Sequence, residues 1–302
     1  MIGYLNGPFS YLNLLNIDTV NPIIKIVDLG SYLKSACGLT EIYNNARYSL
    51  ALTDFELSSL NYFDNYDSFM GAEIRLTSLT KIKEIKFKNY YAICTNALSL
   101  LYVCDMELHR ILIFDLRSVM LKRIICGLGI NGEESRRLEF NCPRDICFFK
   151  GKLYVLDQGA NSIDIFSENG DFIKSFLFNQ KSQTQIENAW SVRVTENVMV
   201  IVDWKAKILI FDLSGQLKEK LDCPGVLSIC FLGIIDLYIH CENGDFICYR
   251  LLDKDFQIVK PFLIYRKNFK KWKYRSEFMI CASNQKFILS LGWKKALALI
   301  EF

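Results

Sequence analysis

Short apolar runs that end in aspartate recur along the chain and set its pattern of hydrophobic and polar positions. The clearest copies lie at 50–54, 101–105, 153–157 and 199–203. Weaker copies at 237–240 and 287–290 end in His240 and Ser290 instead. Six copies with a period of about 47 residues indicate six similar units. Runs this short that are apolar on both faces are typical of strands buried between two layers.

A second strand-like run follows the clearest copies. Residues 110–116 and 207–213 are identical at six of seven positions and basic at the seventh, although they start 97 residues apart. A third version lies between them at 162–166. Repetition at this level indicates a repeated structural unit rather than a chance match.

The segment 143–178 is the most regular unit. Its apolar runs predict strands at 145–149, 152–157, 162–166 and 171–178. Asn169-Gly170 lies between the last two and is a strong hairpin signal, because both residues tolerate positive φ. A four-stranded unit repeated six times predicts an all-β fold, a six-bladed β-propeller of four-stranded antiparallel blades.

The two ends of the repeat complement each other. The last unit stops at 296–302 with no fourth strand after it, while 23–28 is a spare strand at the other end. We expect 23–28 to complete the last blade, which would cover an edge that otherwise invites aggregation. The predicted organisation is an N-terminal extension over 1–22 and a single propeller over 23–302.

Several residues of the regular unit resemble the NHL repeat. They are Pro143 ahead of the first strand, Tyr154-Val155-Leu156-Asp157, Ile163-Asp164-Ile165-Phe166 and Gly170. The resemblance covers 23–302, is strongest over 98–215, and implies an NHL or TolB-like propeller. The opening segment, with Val27-Asp28-Leu29 and Tyr48-Ser49-Leu50-Ala51-Leu52, is similar to the start of six-bladed propeller proteins common in Bacteroidetes. Members of that group are often exported lipoproteins, but this sequence shows no lipobox.

Cysteine and histidine content bears on metals and compartment. There are 11 cysteines and two histidines, and no C-x-x-C pair occurs. Several thiols lie inside apolar runs, where a thiol acts as a small hydrophobe. We therefore expect free thiols, no metal site and no cofactor. With no signal peptide and no apolar stretch of membrane-spanning length, the sequence predicts a cytoplasmic protein without membrane insertion.

The aspartates that end the apolar runs have two interpretations. They could form an acidic ring that binds a cation, or each could accept backbone N–H groups in the turn after its strand. We favour the second interpretation, because the position repeats with the fold and aspartate commonly organises turns in this way.

His109 and Arg110 follow Asp105 and are candidate binding residues. The pKa of a histidine lies near neutrality, so His109 could act as a general base. However, Arg110 corresponds to Lys207 as the residue that starts a strand, and no second histidine is expected nearby. No catalytic residue is assigned, because the sequence contains no G-x-S-x-G, H-E-x-x-H or phosphate-binding glycine loop.

The segment 265–275 is rich in basic and aromatic residues and contains no acid. Its candidate binding residues are Arg266, Lys267, Lys270, Lys271, Trp272, Lys273 and Arg275. The cations could contact phosphates while the aromatic rings stack on bases. The resemblance permits this, since some NHL propellers bind RNA through a basic face. The alternative is a solvated loop between blades, which the small net charge of +3 favours.

A complete repeat with no catalytic motif predicts a non-catalytic binding propeller. Its loop face and central channel would recognise a protein or peptide partner, and the protein would be a monomer or one subunit of a hetero-complex. One alternative is a propeller hydrolase, lactonase or lyase with a metal in the central channel. The other is single-stranded nucleic-acid binding through 265–275.

Overall fold

The computed structural model describes most of the chain from residue 23 onward, with gaps. The described residues are 23–28, 36–44, 47–54, 59–64, 75–78, 90–96, 100–118, 120–126, 140–178, 186, 188–203, 207–232, 236–252, 257–268, 278–281, 287–291 and 296–301.

The described segments are built from β-strands. In chain order the strands are β1 (Ile23–Asp28), β2 (Ala36–Asn44), β3 (Arg47–Asp54), β4 (Ser59–Asp64), β5 (Arg75–Ser78), β6 (Tyr90–Thr95), β7 (Leu100–Asp105), β8 (Arg110–Asp115), β9 (Met120–Cys126), β10 (Pro143–Phe149), β11 (Lys152–Asp157), β12 (Ser162–Ser167), β13 (Phe172–Leu177), β14 (Ala189–Val194), β15 (Met199–Asp203), β16 (Lys207–Phe211), β17 (Leu217–Asp222), β18 (Val226–Leu232), β19 (Asp236–Cys241), β20 (Asp245–Leu252), β21 (Ile258–Asn268), β22 (Phe278–Cys281), β23 (Phe287–Leu291) and β24 (Ala296–Glu301). Over these ranges no helix has the length and apolar character needed to cross a membrane.

The described strands form six four-stranded antiparallel sheets. Five sheets use four consecutive strands, beginning at β2, β6, β10, β14 and β18. The remaining sheet has the order β22-β23-β24-β1, so the first strand of the chain lies beside the last. Its register runs from Ile23 opposite Glu301 to Asp28 opposite Ala296. This is the pairing that the sequence predicted for 23–28.

The first strand of each sheet contacts the first strands of the neighbouring sheets. The contacts run in order through β2, β6, β10, β14, β18 and β22, and a contact between β22 and β2 joins the last sheet to the first. The protein is therefore an all-β propeller of antiparallel four-stranded blades, whose inner strands surround a central axis.

The hydrophobic core lies in layers between neighbouring sheets. All six residues of β7 and all five of β15 are buried, as expected for strands covered on both faces. One layer joins Leu156 and Ile163 of one sheet to Val192, Ile201 and Leu209 of the next. Each fully buried Leu, Ile or Val stabilises the fold by about 1.5–3 kcal/mol relative to an exposed one.

A β-bulge interrupts the inner strand of five sheets at the same place. The register shifts lie between Ala36 and Gly38, Tyr90 and Ile93, Pro143 and Asp145, Ala189 and Ser191, and Val226 and Ser228. In β10 the bulge explains why the strand begins at Pro143, two residues before the predicted start. A bulge bends the strand and redirects the side chains that follow it. Because the bulge recurs at the same place, residues at equivalent positions after it lie at the same height, or level, along the central axis.

The turn at Asn169-Gly170 forms the predicted hairpin between β12 and β13. Gly170 has a φ of +88°, a backbone conformation that side-chain-bearing residues rarely adopt. A Cβ at this position would lie 2.9 Å from Cδ1 of Ile125 in the neighbouring sheet. The turn therefore needs glycine both for its backbone conformation and for the packing between two sheets.

We predict that Gly170→Ala destabilises the protein by about 2–3 kcal/mol, because positive φ is strained for alanine and its methyl group would displace Ile125. Gly151→Ala is the matched control, since Gly151 has a φ of +73° but no atom within 4 Å of an added Cβ. It should cost about 1 kcal/mol. Urea unfolding of both variants measures the difference, and equal losses would contradict the packing component.

Candidate functional site

The open edges of the inner strands face the central axis. Each inner strand has a hydrogen-bonded neighbour on one side within its sheet, so the backbone groups of its other side point toward the axis. Asp145 of β10 and Arg193 of β14 lie at this edge in neighbouring sheets. They are an ion pair, with 2.7 Å between Arg193 Nη1 and Asp145 Oδ2.

The Asp145 carboxylate links two inner strands. Its Oδ2 accepts hydrogen bonds from Ser191 Oγ at 2.8 Å, Val192 N at 2.8 Å and Arg193 Nη1 at 2.7 Å. Its Oδ1 accepts one from Ile146 N at 2.9 Å. The side chain is only 2% exposed. Burial of a charge is costly unless it is paired and hydrogen-bonded, and these four donors meet that requirement.

Arg193 is more accessible than its partner. Its side chain is 18% exposed, and Nη1 also donates to its own strand at Val192 O, at 2.6 Å. Burial acts to lower the pKa of Arg193, but the charge of Asp145, the nearby Cys147 and the hydrogen bond to Asp145 together outweigh burial, and the pKa is raised. Arg193 is therefore a permanent cation. Its hydrogen bonds to described residues use Nη1, so Nε and Nη2 are the donors that a ligand could engage.

Small polar side chains occupy the equivalent level on four other inner strands. By register these residues are Thr40, Cys94, Cys147 and Cys230. Burial raises the pKa of the Cys94 thiol, and it raises that of Cys147 even though the nearby Arg193 acts in the opposite direction. These two thiols stay protonated at neutral pH, so they are not activated nucleophiles.

The described residues do not form a metal site of the kind expected for a metal-dependent propeller. No group of three or more His, Cys, Asp or Glu side chains converges within the part of the chain that the structure describes. Asp145, the acid at the axis, already has four protein donors on its two oxygens. We therefore derive no chemistry through a metal.

Two of the repeating aspartates accept a backbone N–H in the turn after their strand, as the sequence predicted: Asp105 from Leu108 N at 3.3 Å and Asp157 from Ala160 N. Asp157 accepts hydrogen bonds from Asn141 N at 2.6 Å and Ala160 N at 3.2 Å. Asp203 accepts one from Asn188 N at 3.2 Å. In both sheets the aspartate thus fastens the loop that leads into the inner strand. Burial raises the pKa of Asp157, and its backbone hydrogen bonds partly offset that effect.

In the sheet β18–β21 the residue at the aspartate position differs from the sequence interpretation. Val226 pairs with Cys241, just as Pro143 pairs with Asp157. Cys241 therefore replaces the aspartate, whereas His240 lies one residue earlier, opposite Ser228. The sequence did not show this, because His240 and Cys241 both follow the apolar run and only the pairing of β18 with β19 distinguishes them. His240 is 1% exposed, and burial lowers its pKa to about 4.

The structure places His109 and Arg110 at the β7–β8 turn. Arg110 Nε donates to Asp105 Oδ2 at 2.9 Å, so its guanidinium holds the start of β8 to the end of β7. His109 is exposed and has a φ of +51°. It lies close enough to the next sheet to interact electrostatically with Asp157. Neither residue lies at the level of Asp145 and Arg193 on the axis.

The basic segment begins on an outer strand, away from the axis. Arg266 lies on β21, and its Nη2 donates to Asp245 Oδ2 at the start of β20. Lys267 is also on β21, opposite Phe246. The other candidate residues of the segment, Lys270, Lys271, Trp272, Lys273 and Arg275, lie outside the described residues. A role for these residues in binding stays a prediction.

The charged pair on the axis was not among the candidates from the sequence. In the sequence, the pair is visible only as one charged residue inside each of two strand-like runs. These residues are Asp145 before Ile146-Cys147 and Arg193 between Val192 and Val194. Opposite charges at nearly equivalent positions of neighbouring repeats could have suggested a pair between blades. The bulges then decided which side chains meet.

Three comparisons place the chain among known proteins. Searches with protein-family models and against curated sequences found no match. Among solved structures, the chain resembles virginiamycin B lyase from Staphylococcus aureus, with 12% identity, a TM-score of 0.62, and coverage of 93% of this chain and 100% of that one. A catalytically inactive variant of that lyase with quinupristin gives 11% identity, a TM-score of 0.61 and the same coverage. A streptogramin B lyase gives 10% identity, a TM-score of 0.63, and coverage of 93% and 98%.

These likenesses support the propeller fold and correct the functional expectation. The sequence predicted a non-catalytic binding propeller because it contains no recognisable catalytic motif. That prediction is wrong by this comparison, since the three solved structures named above, which share the fold over 93% of this chain, are lyases. Absence of a short motif is a poor guide here, because a propeller draws its site residues from different blades and no local spacing records them. The more specific affinity to NHL repeats and to Bacteroidetes proteins stays a prediction.

We predict that Asp145→Asn destabilises the protein by about 3 kcal/mol, because it leaves the buried end of Arg193 without its counter-charge. Replacing both partners, as in Asp145→Asn with Arg193→Met, should restore part of that loss. Asp171→Asn is the control, since the Arg123–Asp171 pair is exposed at both side chains and should contribute much less to stability, because solvent screens it. Equal effects in chemical unfolding at Asp145 and Asp171 would argue against a stabilising axial pair.

We also predict a pH-dependent loss of stability from His240. The folded-state pKa is about 4 against 6.5 for an unperturbed histidine, so the unfolded chain takes up the proton first. Stability should be intact above pH 6.5 and fall by about 3 kcal/mol as the pH drops to 4. His240→Gln should flatten this slope in unfolding measurements across the range. An unaltered slope in His240→Gln would contradict the assignment.

Proposed function

We propose that this protein is a six-bladed propeller enzyme of the lyase type, with its reacting centre on the axis at Arg193. The six four-stranded sheets and the unbroken cycle of contacts among their inner strands support the blade count. In this proposal residues 23–302 form one propeller, and 1–22 precede it as an extension. The likeness to lyase structures over 93% of the chain supports the reaction class.

The observation that carries the proposal is a cation held rigidly at the axis. A lyase breaks a bond by elimination, and negative charge then develops on an oxygen of the substrate. Fixed N–H donors aimed at such an oxygen stabilise the transition state more than mobile water does. Asp145 and Val192 O fix Nη1 of Arg193, so Nε and Nη2 can hold the developing charge without reorganising.

The surroundings of Arg193 favour a strong interaction with such an oxygen. On the inner strands β2, β6, β10 and β18 the same level carries uncharged residues, among them the protonated thiols of Cys94 and Cys147. A cation with few competing charges in a partly buried position interacts more strongly with an anion than one in water. In this arrangement Asp145 is a positioning residue: it holds Arg193 through Oδ2 and does not contact the substrate.

We expect the purified protein to cleave quinupristin, the compound present in one of the similar lyase structures. Arg193→Met should lower kcat/KM by about 100- to 1,000-fold, the usual effect of removing one oxyanion donor, and Arg193→Lys should recover part of it. Arg123→Met is the control, because Arg123 is an exposed cation on the outer strand β9, where it pairs with Asp171. Mass spectrometry of the product with steady-state kinetics provides both readouts.

Two outcomes would contradict the proposal. Full turnover by a folded Arg193→Met variant would remove Arg193 from the reacting centre. A product heavier than the elimination product by one water would show hydrolysis and exclude the lyase class. If quinupristin is not cleaved, a panel of cyclic and linear esters under the same assay tests the class, and absence of turnover on all of them would count against an enzyme.

A further inference from the structure

Two buried thiols lie in contact within the sheet β18–β21. The Sγ atoms of Cys223 and Cys241 are 3.7 Å apart, and both cysteines are free. Cys223 lies in the loop between β17 and β18, while Cys241 ends β19. Both residues are at most 4% exposed. The backbone beside them is already joined, since Glu242 N donates to Gly225 O at 2.7 Å.

The thiol pair stands where two other sheets have a hydrogen bond. In those sheets the aspartate at the end of the second strand accepts an N–H from the loop ahead of the inner strand, as in Asp157 with Asn141 and Asp203 with Asn188. Cys241 occupies the aspartate position, and Cys223 lies in the corresponding loop. One sheet therefore replaces a hydrogen bond by two side chains that can form a covalent bond.

We propose that Cys223 and Cys241 are a redox-active pair that a hydroperoxide converts into a disulfide, fastening the loop before β18 to the end of β19. The thiolate of Cys223 attacks the peroxide, the O–O bond breaks, and Cys223 becomes a sulfenic acid while an alcohol or water leaves. The sulfur of Cys241 then attacks that of Cys223, the S–S bond forms and water leaves. In sum, two thiols lose two electrons and two protons to one hydroperoxide.

The place of each thiol in the fold assigns the two roles. Cys223 lies in the loop ahead of β18, whereas Cys241 is held within strand β19. In the same direction, the contact between the two sulfurs and the Arg266 guanidinium lower the pKa of Cys223 against burial and Asp245, while that contact and burial raise the pKa of Cys241. We therefore assign Cys223 as the thiol that reacts with peroxide and Cys241 as the one that resolves the sulfenic acid.

Two other buried cysteines serve as internal controls for the thiol pair. Residues 221–250 contain no internal lysine or arginine, so trypsin releases Cys223, Cys230, Cys241 and Cys248 in one peptide. Burial raises the pKa of Cys248 to about 12, so it should react slowly with peroxide. All four thiols are buried, which means that exposure alone would not separate the pair from the other two.

The test treats the folded full-length chain with equimolar hydrogen peroxide. Free thiols are alkylated after denaturation, the disulfide is reduced, and the released thiols take a second, heavier label. We expect the heavier label at Cys223 and Cys241 and the first label at Cys230 and Cys248, together with a rise of several degrees in Tm. Even labelling of all four, or no heavier label at the pair, would overturn the proposal.

Two variants separate the steps. In Cys241→Ser the sulfenic acid of Cys223 cannot be resolved, so dimedone should trap it at Cys223. In Cys223→Ser neither the trapped adduct nor the disulfide should form, and Cys248→Ser should behave like the unaltered protein. Dimedone trapping at Cys241 in Cys223→Ser, at the rate seen for Cys223, would show that the assigned roles are wrong. The labelling pattern of the unaltered protein decides the proposal even if a variant fails to fold.

Discussion

The structure depends on strands that are apolar on both faces. A strand such as β7 or β15, buried along its whole length, exposes too much apolar surface to lie on the outside of a single sheet. Each sheet must therefore be covered on both sides by another sheet, and a row of such sheets has two uncovered ends. Closing the row into a ring removes both ends at once. The pairing of β1 with β24 fastens that closure, because the first and last strands of the chain belong to one sheet.

Closing the ring also creates the central axis, and the inner strands around it carry the charged pair of Asp145 and Arg193. The inner strands have one free edge, and its N–H groups need acceptors. Asp145 supplies one for Val192 N and brings Arg193 with it. Among the described residues these contacts engage only Nη1 of Arg193. Its Nε and Nη2 therefore remain available to a ligand. The same ion pair thus stabilises the inner strands and offers hydrogen-bond donors to a substrate, which is why we place the reacting centre there.

Because the sheets are alike, one kind of contact can replace another at an equivalent position without changing the fold. The end of the second strand is fastened to the preceding loop by an aspartate in two sheets and by a pair of thiols in a third. The geometry is similar in each case, but the chemistry is not, since a thiol pair can be oxidised and an aspartate cannot. A substitution that is neutral for folding can in this way add sensitivity to the surroundings.

The sequence by itself determined the strands, the turns and the closure. The repeating runs predicted β11 at its observed bounds, Asn169-Gly170 predicted a turn, and the spare segment 23–28 was matched to the end of the chain, because these features depend on local periodicity and on turn chemistry. Tertiary structure alone decided the meeting of Asp145 with Arg193, which are 48 residues apart, and the placement of Cys241 at the aspartate position. The first depends on a contact between separate sheets and the second on the pairing of β19 with β18, and neither leaves a periodic trace in the sequence.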